Sequence, residues 1–223
     1  MAESEFDATA AEVEEVIRNR RSVHDYSDET VADETLRGVF DLARYTPSGY
    51  NLQPWEFVVL RSDGDREALA ECAHGQEHVV DAPVGVIVLG NTDPAAHADR
   101  VFDDWLAKGY LSDEETRDAL VEQVREWRDR SEDENRLWTT RSTALAAMTV
   151  MYAARSKGLS TCPMEGFDPE AVRERFEIPD RFEPVMLLTM GYPAEGADDR
   201  EGPRKFRRPV DEIVHVGGFD DSE

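Results

Sequence analysis

Along the chain, stretches with apolar residues at helical spacing alternate with short, wholly apolar runs. Val13, Val16 and Ile17 recur at helical spacing and predict a first helix from Ala10 to Arg20. Leu36, Val39, Phe40 and Ala43 form a second stripe, with Asp33 placed to cap it. Two apolar runs, Trp55 to Leu60 and Pro83 to Leu89, predict buried strands, with a short helix around Arg66–Cys72 between them. From Ala95 to about Arg130, Glu and Arg alternate with Phe102, Trp105, Leu106 and Tyr110, which predicts amphipathic helices, read either as a lid or partner surface or as a plain helix pair. Asn135 to Lys157 reads as one long helix whose middle lacks a wet face, so it belongs in a core or a subunit interface, and Gly158 ends it. The pattern then predicts a loop at 163–167, a helix from Pro169 to Phe176 and a buried strand from Val185 to Met190. An irregular segment follows to Arg204, with a final strand over Val210–Val216.

The elements suit one domain over 9–223 after a solvated tail at 1–8. A helical insertion spans about 95–130 and a C-terminal arm about 192–223. The net charge of −24 comes from 49 acids against 25 bases, of which only Lys108, Lys157 and Lys205 are lysine. Such a field repels nucleic acid and anionic membranes. It fits a halophilic protein that stays hydrated in concentrated salt, and equally an acidic enzyme of ordinary habitat. The longest low-charge run, Ser142 to Ala154, is shorter than the roughly 20 residues a spanning helix needs. Met1 to Glu15 is polar and acidic, and Cys72 and Cys162 form no C-x-x-C pair, so a reducing cytoplasm is expected.

Within this acidic chain, positions 18–21 and 204–208 hold seven of the 25 basic residues. Forked guanidinium groups beside a hydroxyl suit a phosphate monoester, each charge-assisted hydrogen bond contributing roughly 1.5–3 kcal/mol. Arg20, Ser22, Lys205 and Arg207 make a coherent phosphate site if the two ends of the chain meet. A docking surface for an acidic protein uses the same charges. The turn Thr46–Trp55 breaks a helix and launches a strand, with Pro47 fixing φ, Gly49 allowing close approach and Ser48 and Asn51 offering polar groups. Nucleotide-binding glycine motifs, zinc motifs and G-x-S-x-G are missing, and His24, His74, His78, His97 and His215 show no ligand spacing. An enzyme with this sequence needs a bound cofactor to carry its reaction.

Arg20-Arg21-Ser22-Val23, the run from Ala43 through Pro47-Ser48-Gly49-Tyr50-Asn51 to Trp55, and Glu165-Gly166-Phe167 resemble, in order and spacing, the FMN-dependent nitroreductases. The likeness is to their oxygen-insensitive, NAD(P)H-using branch, and it spans about Val13 to Val216, with 95–130 matching poorly. It implies an α+β fold, a central mixed but mostly antiparallel sheet flanked by helices, and an intertwined homodimer with FMN at its interface. By the same resemblance, Arg20, Arg21, Ser22, Lys205 and Arg207 hold the phosphate and ribityl end. Pro47, Ser48, Gly49 and Asn51 line the flavin, Asn51 as a contact from the dimer side. Gln76 lies at the pyrimidine ring, and Met164, Glu165 and Gly166 lie over the N5 edge. Tyr50 walls the substrate pocket.

His24 stands where relatives place Lys or Arg near the flavin N1/O2 edge, and His78 stands at a second such position. Imidazoles there would tie the flavin potential to pH. The implied reaction takes a hydride from NAD(P)H to a flat electrophile, a nitroaromatic or quinone, by ping-pong kinetics. Three alternatives remain: flavin fragmentation, reduction of enoyl or halogenated substrates, and flavin storage or regulation without turnover.

Overall fold

The computed structural model of the protein describes residues 12–219. Four strands, β1 (Trp55–Leu60), β2 (Val84–Asn91), β3 (Ser160–Met164) and β4 (Phe182–Gly191), lie in the order β1-β2-β4-β3. Every pairing between them is antiparallel. Among the described residues the parallel component is one isolated bridge, from Ser22 to Thr161 of β3. Around the sheet lie α1 (12–19), α2 (Asp33–Ala43), α3 (Asp63–Cys72), α4 (Glu77–Asp81), α5 (Ala98–Ala107), α6 (Glu114–Arg125), α7 (Glu132–Ser156), α8 (Pro169–Arg175) and α9 (Ala197–Arg200). The fold is α+β, as the resemblance implies. The tail at 1–8 and the start of the first helix lie outside the described residues.

Strand β2 is central and buried at every position, which explains its unbroken apolar run. Its alternate residues serve two cores. Val84, Val86 and Val88 pack with α2 and α7, whereas Ile87 and Leu89 pack with Leu69 of α3, Val79 of α4 and Val172 of α8. A third cluster joins α5 and α6 to Leu52, around the fully buried Phe102. The 95–130 segment is therefore a helix pair with its own aromatic core.

Several sequence expectations need correction. Asp33 does not cap α2: Ala32 is the N-cap, without a side-chain bond, and the Asp33 carboxylate instead accepts a hydrogen bond from Arg61. Helix α7 begins three residues early because Ser131 and Glu134 close a capping box. It ends as expected, with Gly158 at φ +80°. Pro163 and Met164 belong to β3, not to a loop. This strand is an edge, so the N–H that proline lacks is not missed by a neighbour. The final strand over 210–216 is absent, and a 3₁₀ turn at Val210–Glu212 stands there instead. Val210, Ile213, Val214 and Val216 are exposed, and among the described residues no strand lies alongside to supply a ladder.

The segment after α1 crosses the sheet rather than leaving it. Val23 N–H donates to Thr161 O at 3.3 Å, and Tyr26 bridges Pro193. Gly191 makes this crossing possible, because a Cβ there would lie 2.5 Å from Pro83 and 2.9 Å from the Tyr26 ring. The Tyr26 hydroxyl meets Thr189 Oγ1 at 2.7 Å, and burial pushes it well above the usual phenol range.

Candidate functional site

Helix α1 delivers basic residues to its C-terminal end, and the chain then turns along β3. The opposite bank of the site comes from the arm after α9. Arg21 donates to Gly202 O at 3.0 Å, Arg200 to Asp25 at 2.5 Å, and the His24 N–H to Glu201 Oε1 at 2.8 Å. These bonds join segments up to 181 residues apart. Between them lies a cavity of about 600 Å³. Arg20, Arg21, Ser22 and His24 line one side, and Lys205 and Arg207 the other. Met148 and Tyr152 of α7 give it an apolar wall.

Arg20 Nη1 is buried and has no hydrogen-bond partner among the described residues. A buried, unpaired guanidinium nitrogen carries a desolvation penalty that an anionic ligand would remove. Arg204 also faces the cavity, so the donor set is dominated by fixed cations in a chain of net charge −24. This chemistry suits a phosphate ester. Arg207 rests on its own loop, its Nη1 donating to the carbonyls of Lys205 and Phe206 at 3.1 and 2.9 Å.

Behind the cavity stands a tight polar cluster. His24 Nδ1 lies 2.8 Å from Glu201 Oε1, and His24 Nε2 lies 3.4 Å from Cys162 Sγ. The His78 ring meets the His24 ring edge-on, centroids 4.8 Å apart, and its Nε2 lies 2.9 Å from Met164 Sδ. Burial pushes Glu201 upward, but hydrogen bonds from the His24 ring and backbone outweigh it and hold the carboxyl below its usual range. Burial, then repulsion from His24, holds His78 below the ordinary histidine value. Burial likewise pushes the Cys162 thiol up.

Gln76 bridges the neighbouring loop, its amide donating to Ala73 O and Gly166 O at 3.0 Å each. It thereby fixes Glu165 and Gly166, both exposed, just past the end of β3. Pro47, Ser48, Gly49 and Asn51 are not brought to the basic cavity. Asn51 lines a separate cavity of about 520 Å³ with Trp105 and Tyr110. The Ser48 hydroxyl accepts from the Gln53 N–H at 2.9 Å and so closes its own loop. The unusual backbone falls on Tyr50, Asn51 and Gln53, with φ of +52°, +56° and +47°, and not on Gly49. Three non-glycine residues in the left-handed region store strain within four positions. Tyr50 packs edge-on against Phe102 and Trp127, so within the chain it joins the insertion's core.

Glu201 and Cys162 escaped the sequence reading. Glu201 lies in a Gly/Pro/Asp-rich stretch without periodicity, and its partner is 177 residues away. Cys162 stands in a strand disguised by the proline beside it.

The profile of the nitroreductase family matches residues 17–192 of the chain. MhqN of Bacillus subtilis, named a candidate NAD(P)H nitroreductase, is 34% identical over 205 residues, 92% of this chain and 98% of its own. A protein of Thermus thermophilus named NADH dehydrogenase is 32% identical over 197 residues, 87% of this chain and 91% of its own. Among solved structures, a candidate nitroreductase from Exiguobacterium sibiricum in complex with FMN superposes with a TM-score of 0.80 at 26% identity. That match covers 91% of this chain and 96% of the other.

Proposed function

The chain belongs to the nitroreductase family, and from that premise we propose that it is an FMN-dependent NAD(P)H oxidoreductase working on a flat, electron-poor acceptor such as a nitroaromatic or a quinone. One observation carries the reading. Arg20 and Lys205, from opposite ends of an acidic chain, line one cavity in which an arginine nitrogen is buried without a partner. Arg20, Arg21, Ser22, Lys205 and Arg207 would hold the phosphate and ribityl end of FMN. Gln76 would steady Glu165 and Gly166 beside the flavin ring. When bound, FMN supplies two-electron storage between donor and acceptor.

The protein's own contribution is orientation and charge. Met148 and Tyr152 line the cavity and would shield the cofactor from water, and the basic wall would offset its negative charge. Donor and acceptor would share one face, which makes ping-pong kinetics the expectation. The reading includes a homodimer over a single FMN-binding domain, 9–223. In it, Pro47, Ser48, Gly49 and Asn51 of a second copy complete each flavin site. Leu137 and Leu145, each 52% exposed on α7, and the apolar residues of the arm would be covered in that dimer. No helix among the described residues is long and apolar enough to cross a membrane. A cytoplasmic setting would keep the free thiols Cys72 and Cys162 reduced.

The visible spectrum of the purified protein is the test. A bound yellow chromophore should bleach with NADH or NADPH and recover on adding a quinone or nitroaromatic, the flavin remaining intact through many turnovers. A colourless protein that also rejects added FMN overturns the reading. Yellow protein that neither nicotinamide bleaches would mark a storage or regulatory role.

A further inference from the structure

The sequence spacing of His24, His78 and Cys162 gives no hint of a metal site, yet the fold gathers them. One imidazole comes from the segment after α1, one from α4 and the thiol from β3. Their donor atoms all lie within 4.8 Å of one another. Around a tetrahedral Zn²⁺ with bonds of about 2.0–2.3 Å, neighbouring ligand atoms lie roughly 3.3–3.8 Å apart. The His24 Nε2 to Cys162 Sγ separation of 3.4 Å already falls there. We propose that His24, His78 and Cys162 form a binding site for one thiophilic divalent cation of the Zn²⁺ class, set in the wall of the basic cavity.

Three further observations support the site. The first is the tautomer of His24. Glu201 is a carboxylate and accepts, so the proton of the neutral ring lies on Nδ1, and the Nε2 lone pair is directed at Cys162. A carboxylate behind a histidine in this way orients it and raises its basicity as a ligand. The second is softness. Two imidazole nitrogens and a sulfur, with the Met164 thioether beside His78, favour Zn²⁺ or Co²⁺ over Mg²⁺ or Ca²⁺. The third is shape. Cys162 and Met164 are 4% and 5% exposed and rest on the core, which holds the sulfur end rigid. His24 is exposed at the cavity side, which gives an ion a way in.

Binding forms a Zn–S bond and breaks the S–H bond, and the thiol proton passes to buffer. Three protein donors leave one place in a tetrahedral shell for water. A cation there adds positive charge to a wall that already attracts anions, so occupancy of the two sites is linked.

The test must separate this site from the many surface carboxylates of a chain with net charge −24. The holoprotein is dialysed against Zn²⁺ in a large excess of Mg²⁺, which fills hard oxygen sites and leaves nitrogen and sulfur free. The expected result is one Zn²⁺ retained per chain, lost in Cys162→Ser and in His78→Gln. Glu201→Gln should keep the stoichiometry but weaken affinity roughly 10–100-fold, since it acts through His24. As a second readout, Co²⁺ is added to a Cys72→Ala background, in which Cys162 is the sole thiol. A thiolate-to-cobalt charge-transfer band, with ligand-field bands in the red beyond flavin absorption, is then expected from the folded protein. This readout stands even where a Cys162 variant fails to fold. Zn²⁺ fully displaced by Mg²⁺, retention unchanged in both ligand variants, or no charge-transfer band would each overturn the site. Yellow protein that rejects Zn²⁺ refutes the metal site and leaves the flavin reading intact.

Discussion

The basic cavity and the 46–55 loop are built on opposite plans. The cavity is assembled from segments far apart in the chain, with Arg21 reaching Gly202 and His24 reaching Glu201. The loop is closed locally, by Ser48 on Gln53, and braced from outside by Tyr50 against Phe102 and Trp127. One region holds a buried guanidinium nitrogen without a partner among the described residues, the other three left-handed residues. The contrast teaches that a shared motif order does not imply a shared pocket within one chain. Within one chain Arg20 and Asn51 line separate cavities.

The sharpest way to break the comparison is Phe102→Ala. Truncating this fully buried ring should cost about 3–5 kcal/mol, read from urea unfolding. The cavity of the surviving folded fraction should still take inorganic phosphate with unchanged affinity. If phosphate binding falls with the aromatic core, the two regions are one cooperative unit after all. Next comes Arg20→Ala, which should weaken FMN roughly 10–150-fold, the loss of one charge-assisted hydrogen bond of about 1.5–3 kcal/mol. Quenching of free FMN fluorescence measures it, and an unchanged affinity would detach the cavity from the cofactor.

Smaller effects sharpen the picture. Gln53→Gly relieves a φ of +47° and gives up one exposed side-chain hydrogen bond, to Asn51 O. It should stabilise by up to about 1 kcal/mol. A lower Tm would show that the side chain, not the backbone, sets the loop. The smallest effect is acid sensitivity in the insertion. Hydrogen bonds from Arg128 hold Asp93 below the usual carboxylate range, against its partial burial. A carboxyl with a depressed folded pKa contributes stability above its ordinary value of about 3.9, and that contribution is lost as pH falls through the lower folded value. Asp93→Asn should therefore remove about 1 kcal/mol or less at pH 7 and nothing at very low pH, because Arg128 is half exposed. Equal melting curves at pH 7 would show the pair idle.

The difference between the two regions also explains what the sequence disclosed. Strand β1 was legible residue for residue, because Trp55 to Leu60 is bounded by Pro54 on one side and by polar residues from Arg61 on the other. Charge marked the clusters at 18–21 and 204–208, but their meeting stayed conditional until the fold joined Arg21 to Gly202 and His24 to Glu201 and put Arg20 and Lys205 on one cavity. Strand β3 was hidden because Pro163 marks a loop until the strand is known to be an edge. The left-handed residues were hidden because Gly49 sits beside them and attracts the expectation. Glu201 and Cys162 were invisible because their importance lies wholly in partners more than 100 residues away.

The arm beyond α9 has one more implication. It is exposed from Pro203 to Phe219, yet it brings Arg204, Lys205 and Arg207 to the cavity. The sheet ends at Gly191, and neither of its two cores draws on a residue beyond Tyr192. A protease that clips after Gly202 would thus silence the molecule without unfolding it, leaving an intact body with half its anchoring charge removed. A clipped form that stayed yellow through gel filtration would show the arm to be an ornament.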